Sequence, residues 1–87
     1  MTHEGAEWLA RIRVGIRETE KLVGAERAAL AVVAMSPATA ARGLDLCGLR
    51  DLSSLEALAG RRIFLDVTLT PGEFLIMDGE KLGANSV

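Results

Sequence analysis

Residues 30–44 read LAVVAMSPATAARGL. They close an uncharged run that begins at Ala28 and ends at Met35, AALAVVAM, and they open an Ala/Thr/Arg stretch after Ser36-Pro37. Over eight residues, periodicity alone does not separate a buried strand from a buried helix; the short length, the Val32-Val33 pair and the flanks favour a strand. A strand with no polar side is buried on both faces, as in a sheet covered by helices. Ser36 fits a helix N-cap, because its hydroxyl can accept a backbone N–H of the first turn. Pro37 fits the first helical position, where no N–H is needed. Met35-Ser36-Pro37 therefore reads as a strand-to-helix junction, and the helix is expected over Pro37 to Arg42 or a little beyond, ending near Gly43.

Upstream, the pattern predicts a helix over Glu4 to Val23. Trp8, Leu9, Ile12, Ile16, Thr19, Leu22 and Val23 recur every three to four residues and share one face. Gly15 falls on that face too; it costs about 1 kcal/mol relative to alanine in a helix interior, so close approach of another element is its expected reason. The opposite side carries Arg13, Arg17, Glu18, Glu20 and Lys21, and Glu7–Arg11 is an i,i+4 pair of favourable polarity. Gly24 is the expected helix stop.

Downstream, LDLCGLRDLSSLEALAG (44–60) has leucines at 44, 46, 49, 52, 55 and 58 that superficially match one leucine-rich repeat. A single repeat cannot bury its own face, and solenoids need about three. The segment reads better as a loop and a short helix, with Ser53 or Ser54 as cap, Glu56 in the first turn and Gly60 after the end. In RRIFLDVTLTPGEFLIM (61–77), Ile63, Leu65, Val67 and Leu69 alternate with Phe64, Asp66, Thr68 and Thr70. Pro71-Gly72 marks a turn, of a kind that joins two strands loosely rather than in a tight hairpin. Glu73 to Met77 is the second strand, and Asp78-Gly79 turns the chain out. The order is α-β-α-α-β-β: an α+β fold in which a small sheet of at least three strands packs with helices. Residues 1–87 form a single domain, with 1–5 and 83–87 expected to be mobile tails.

Composition narrows the partners. Hydrophobic residues make up 49% of the 87-residue chain, and the mean hydropathy is +0.26. A chain this short buries only roughly 60–65% of its unfolded surface when it folds alone. Some of that apolar content is expected to face a partner, most simply another copy. The net charge of −2, the absence of a basic tract and the small aromatic set (Trp8, Phe64, Phe74) argue against nucleic acid. The longest apolar run is far shorter than the span of about 20 residues that crosses a bilayer. The start, MTHEGAEW, lacks the charged-then-apolar pattern of a secretory signal, so a cytoplasmic rather than secreted chain is expected.

Little in the chain points to chemistry. The single Cys47 excludes an internal disulfide and reads as a small buried residue among leucines. No metal site is expected from one cysteine and one terminal histidine, His3. The glycines lie singly at element ends rather than in a phosphate loop. Ser36 has no histidine in the body of the chain to activate it. Arg61-Arg62 reads as a solvated strand start. Asp66 and Asp78 are the one carboxylate pair that strand ends could bring together for acid–base work. The expectation is a non-enzymatic protein with no cofactor and no small-molecule substrate.

The arrangement of Trp8–Val23, ALAVVAMSPATAARGL and RRIFLDVTLTPGEFLIMDG resembles the axial domain of tailed-phage major capsid proteins of the Hong Kong type, a fold shared with encapsulins. In that domain a helix precedes a buried strand, an N/S-P or H-P junction leads into a short helix, and two later strands flank a loop rich in Pro and Gly. The resemblance covers residues 7–83. The spine helix, extended loop and peripheral domain of a full capsid subunit have no counterpart here. It implies an isolated, phage-derived module that associates with itself, as axial domains do around capsomer axes, or that binds a capsid protein, in the cytoplasm of a bacterial host or on a virion. The candidate contact residues are Trp8, Arg13, Arg17, Leu69 and Pro71. The alternative is a small monomeric regulatory module that recognises a phage or host protein through the Arg/Glu face of the first helix.

Overall fold

The computed structural model describes residues 2–79, so the tail expected at 83–87 lies outside the described residues. The elements run α1 (His3–Val23), α2 (Ala25–Ala28), β1 (Ala31–Met35), α3 (Pro37–Cys47), α4 (Leu52–Ala59), β2 (Ile63–Leu65) and β3 (Phe74–Asp78). This is the expected α+β order, with one extra helical turn at α2. The three strands form one mixed sheet in the order β2-β1-β3. β1 is central, parallel to β2 and antiparallel to β3.

α1 begins where Thr2 caps it. The Thr2 hydroxyl accepts the Gly5 N–H at 3.0 Å and donates to the Leu46 carbonyl at 3.0 Å, which ties the start of the chain to α3. Trp8, Leu9, Ile12 and Ile16 are buried as their spacing predicts. Leu22 and Val23, expected on the same face, are instead exposed. A 21-residue helix is about 31 Å long, whereas a five-residue strand spans about 17 Å, so the last turn of α1 runs past the sheet. Gly15 meets β3 closely: a Cβ there would sit 3.3 Å from Phe74 Cε2 and 3.4 Å from Ile76 Cγ1. Glu7 pairs with His3 at 3.0 Å rather than with Arg11.

The Ser36-Pro37 junction is as expected. Ser36 Oγ accepts the Thr39 N–H at 3.1 Å, and Pro37 opens α3. The strand before it is shorter than the apolar run, because Ala28 closes α2 and the chain turns at 29–30 before β1 begins. α3 does not end near Gly43. It continues to Cys47, and Gly48 caps it at φ 66°, where a Cβ would be strained, while the Leu49 N–H returns to the Leu44 carbonyl at 2.8 Å. Gly43 is buried mid-helix because the indole of Trp8 lies on it. A Cβ at 43 would come within 2.7 Å of Trp8 Cζ2 and 2.8 Å of Cζ3, and would overlap Cη2. Two signals are thus separated: Gly43 makes room, and Gly48 stops the helix.

α4 is capped by Asp51, not by Ser53 or Ser54; Asp51 Oδ1 accepts the Ser54 N–H at 2.8 Å. This places Glu56 beyond the first turn, where its carboxylate accepts the Ile63 N–H at 2.8 Å and anchors the start of β2. The alternation from Ile63 to Thr70 supports only three strand residues. Asp66 Oδ1 accepts both the Thr68 N–H, at 2.9 Å, and the Thr68 hydroxyl, at 2.6 Å. That local turn competes with the ladder and ends β2. The loose connection expected around Pro71-Gly72 is present: β2 and β3 are not adjacent, and β1 lies between them, so residues 66–73 form a connection that crosses the end of the central strand.

The core lies on one side of the sheet. Val33, Met35 and Ile63 cluster with Trp8, Leu9, Ile12 and Ile16 of α1, Ala40 and Cys47 of α3, and Leu55 and Ala59 of α4; Phe74 and Ile76 pack against them. Among the described residues the three longer helices share one face of the sheet. β1 is buried along nearly its whole length, Ala34 on the other face included, and only Val32 is half-buried, as the uncharged run implied.

Candidate protein interface

Strand side chains alternate between faces, and the register identifies the second face of the sheet. Ala34 lies between Phe64 and Leu75, and Val32 lies beside Met77. These five residues are all apolar. Phe64 is 44% and Leu75 50% exposed, Val32 and Met77 are half-buried, and Ala34 is closed over between its neighbours. The charged strand residue, Asp78, shares the helix-side parity of Phe74 and Ile76, and it is bonded to Arg27 at 2.8 Å. The outer face thus presents side chains without a charge, and among the described residues no helix longer than the one-turn α2 is available to cover it.

A second feature lies at the other side of the fold. A cleft of about 330 Å³ is lined by Trp8 and Arg11 of α1, Ala38, Thr39 and Arg42 of α3, and Pro71-Gly72 of the 66–73 connection. Thr39 builds it. Its hydroxyl lies 2.8 Å from Ser36 Oγ and accepts the Gly72 N–H at 2.9 Å, pinning the connection to the start of α3. Both Ser36 and Thr39 are buried, so each hydroxyl satisfies a polar group away from water.

The five residues singled out in the sequence separate into different places. Trp8 is only 5% exposed; it is a core residue whose edge reaches the cleft, not a free contact residue. Pro71 is exposed and shares that cleft with it. Leu69 is half-buried inside the connection, where its N–H donates to the Asp66 carbonyl at 3.3 Å. Arg13 and Arg17 are exposed one turn apart on α1, and Arg13 donates to the Leu58 carbonyl of α4 at 3.3 Å. Sequence reasoning missed Phe64 and Leu75 on the open face, and Arg11, Thr39 and Arg42 at the cleft. Phe64 carried a signal: in the alternation of residues 63–70 it is an aromatic on the otherwise polar side.

The carboxylate pair that the sequence permitted is not assembled. The Asp66 N–H bonds to Met35 at the end of β1, whereas Asp78 pairs in register with Ala31 at its start. The four steps from Ala31 to Met35 separate the two by about 13 Å. Hydrogen bonds from the Thr68 hydroxyl and amide hold the Asp66 carboxyl below its usual range, the opposite of the upward shift a general acid needs. Burial pushes the Cys47 thiol up, away from the thiolate. Among the described residues no helix is long and apolar enough to cross a membrane. Neither the models of known protein families, nor curated proteins, nor solved structures yield a match to this chain.

Proposed function

We propose that this protein is a non-enzymatic interaction module that works by self-association through the open face of its sheet. The observation that carries this reading is the group Val32, Ala34, Phe64, Leu75 and Met77, apolar and uncharged on a face that α1, α3 and α4 do not cover, with Phe64 and Leu75 about half exposed among the described residues. A second copy is the occupant that fits best. An uncharged face meets its own image without like-charge repulsion, and a two-fold contact needs only one self-complementary patch. Three strands of up to five residues present roughly 200–250 Å² of face, whereas stable complexes bury about 800 Å² per partner. Association through this face is therefore reversible and concentration-dependent unless surrounding residues enlarge it.

The kind of module we favour is a stand-alone, phage-derived one of the capsid axial-domain type, acting on its own copies or on a capsid protein. The element order and the capped β1–α3 junction support that reading. Light scattering on a size-exclusion column over a concentration series tests the proposal. A closed ring of defined mass supports the capsomer-like arrangement, a dimer supports self-association without it, and a monomer at every concentration refutes self-association.

A second reading has its own observation. Arg13 and Arg17 are exposed one turn apart on α1, away from the sheet's open face. A monomeric regulatory module would use them to recognise an acidic surface of a phage or host protein. Charge reversal at both positions abolishes capture of that partner on this reading and leaves self-association untouched on the first.

A further inference from the structure

We propose that the cleft between α1, the start of α3 and the 66–73 connection binds a peptide carboxylate, presented beside an apolar side chain by a partner protein. Two arginines from different helices, Arg11 and Arg42, line this cleft, and no acidic residue lines it with them. The rest of the lining includes the edge of Trp8, the Ala38 methyl and the Pro71 ring.

The charges are available. Glu7, one turn before Arg11, is taken by His3, and among the described residues no ion pair ties Arg11. Arg42 has only a long 3.8 Å contact to Glu4, with both side chains largely exposed, a pair that a closer carboxylate displaces. Guanidinium forks match carboxylates in bidentate geometry, and this cleft has an arginine from each of two helices in its lining. The apolar lining selects what else the ligand carries: a bare inorganic anion would leave Trp8, Ala38 and Pro71 unfilled, whereas an Asp or Glu flanked by an apolar residue covers both. At about 330 Å³ the cleft is at the small end of ligand sites and has room for one or two side chains. Thr39, already satisfied by Ser36 and Gly72, holds the walls rather than the ligand.

Trp8 is the single tryptophan of the chain, so its emission reports on the cleft directly. The experiment titrates the full chain, at a concentration where it is monomeric, with acetyl-Leu-Glu-Leu-amide. The same peptide with Gln for Glu, and inorganic phosphate, are run in parallel. We expect a saturable change in emission with the Glu peptide. Arg11→Gln and Arg42→Gln should each weaken it by about tenfold, the scale of one charge-assisted contact, with the thermal melt unchanged because both side chains are exposed. No saturation up to about 5 mM, weaker than a millimolar contact, overturns the proposal. Equal binding of the Gln peptide also overturns it, showing an apolar groove only. Binding of phosphate as tight as the Glu peptide overturns it as well, showing a simple anion site.

Discussion

Replacing Gly43 with alanine tests the packing of α3 on α1 through the sign of its effect. Gly43 lies in the interior of a helix, where alanine is favoured over glycine by about 0.8–1 kcal/mol. If propensity alone governed the site, Gly43→Ala would stabilise the protein by that amount. The structure opposes it. The new methyl would lie 2.7 and 2.8 Å from two ring carbons of Trp8 and closer still to a third. Ordinary carbon contacts lie near 3.5–4.0 Å, so a rigid, buried indole would have to move by about an ångström. Overpacking of this kind costs about 1–3 kcal/mol. With three ring carbons in conflict, the upper end applies, and the net effect after the propensity gain is a loss of about 2 kcal/mol. In a chain of this size that lowers Tm by roughly 10 °C. A circular-dichroism melt reads the stability, and Trp8 emission, shifting to longer wavelength if the ring is pushed into the cleft, reads the cause. Trp8→Leu provides the control: without the indole in place, Gly43→Ala should become stabilising by about 1 kcal/mol. A Gly43→Ala protein that melts higher than the parent, with unchanged emission, refutes the packing argument.

The other predictions concern the contacts that hold the layers and the connection in place. Gly15→Leu should destabilise by about 1–3 kcal/mol, because even a Cβ already sits at 3.3–3.4 Å from Phe74 and Ile76; a neutral or raised denaturation midpoint would mean that α1 does not press on β3 there. Thr39→Val keeps the shape but removes the acceptor of the Gly72 N–H, for a loss of about 0.5–1.5 kcal/mol, and Gly72 amide exchange should accelerate; unchanged protection at Gly72 would refute the pin. Hydrogen bonds from the Ser54 hydroxyl and amide hold the Asp51 carboxyl below its usual 3.8. Its capping is therefore fully present above that value and is lost as the pH falls through the lowered one. Asp51→Ala should lower the thermal midpoint at pH 7, with the gap to the parent closing below pH 3.8; a gap that persists in acid would show that the carboxylate's charge is not the source.

What the sequence made legible was mostly local. The Ser36-Pro37 junction, the buried face of α1 from Trp8 to Ile16 and the close contact at Gly15 follow from capping chemistry and a 3.6-residue period, and the structure contains all three. Failures came where a local signal had a distant cause. Gly43 read as a helix stop because a glycine's sequence does not distinguish a cap from a place where Trp8, 35 positions away, needs room. Leu22 and Val23 read as core because periodicity does not report where the sheet ends. Asp51 lost the capping assignment to its serine neighbours, although it is itself a strong cap. Pro71-Gly72 was rightly a turn, but a turn between two strands does not tell whether they pair with each other or on either side of a third. That last ambiguity concealed the open face, because Phe64 and Leu75 become neighbours of Ala34 only in the β2-β1-β3 order. The cleft was hidden for the same reason, since its lining comes from three separate segments.

That the apolar sheet face joins copies of this chain is tested most directly by sedimentation of the parent beside Phe64→Glu, Leu75→Glu and Arg13→Glu over one concentration series. Phe64 and Leu75 are about half exposed, so a glutamate at either is tolerated by the fold and places like charges across a two-fold contact. The account predicts that the parent's mass rises above the 9.2 kDa monomer with concentration, that both sheet-face variants remain monomeric, and that Arg13→Glu associates as the parent does. A parent that stays monomeric throughout, or sheet-face variants that associate as strongly as the parent, would contradict it.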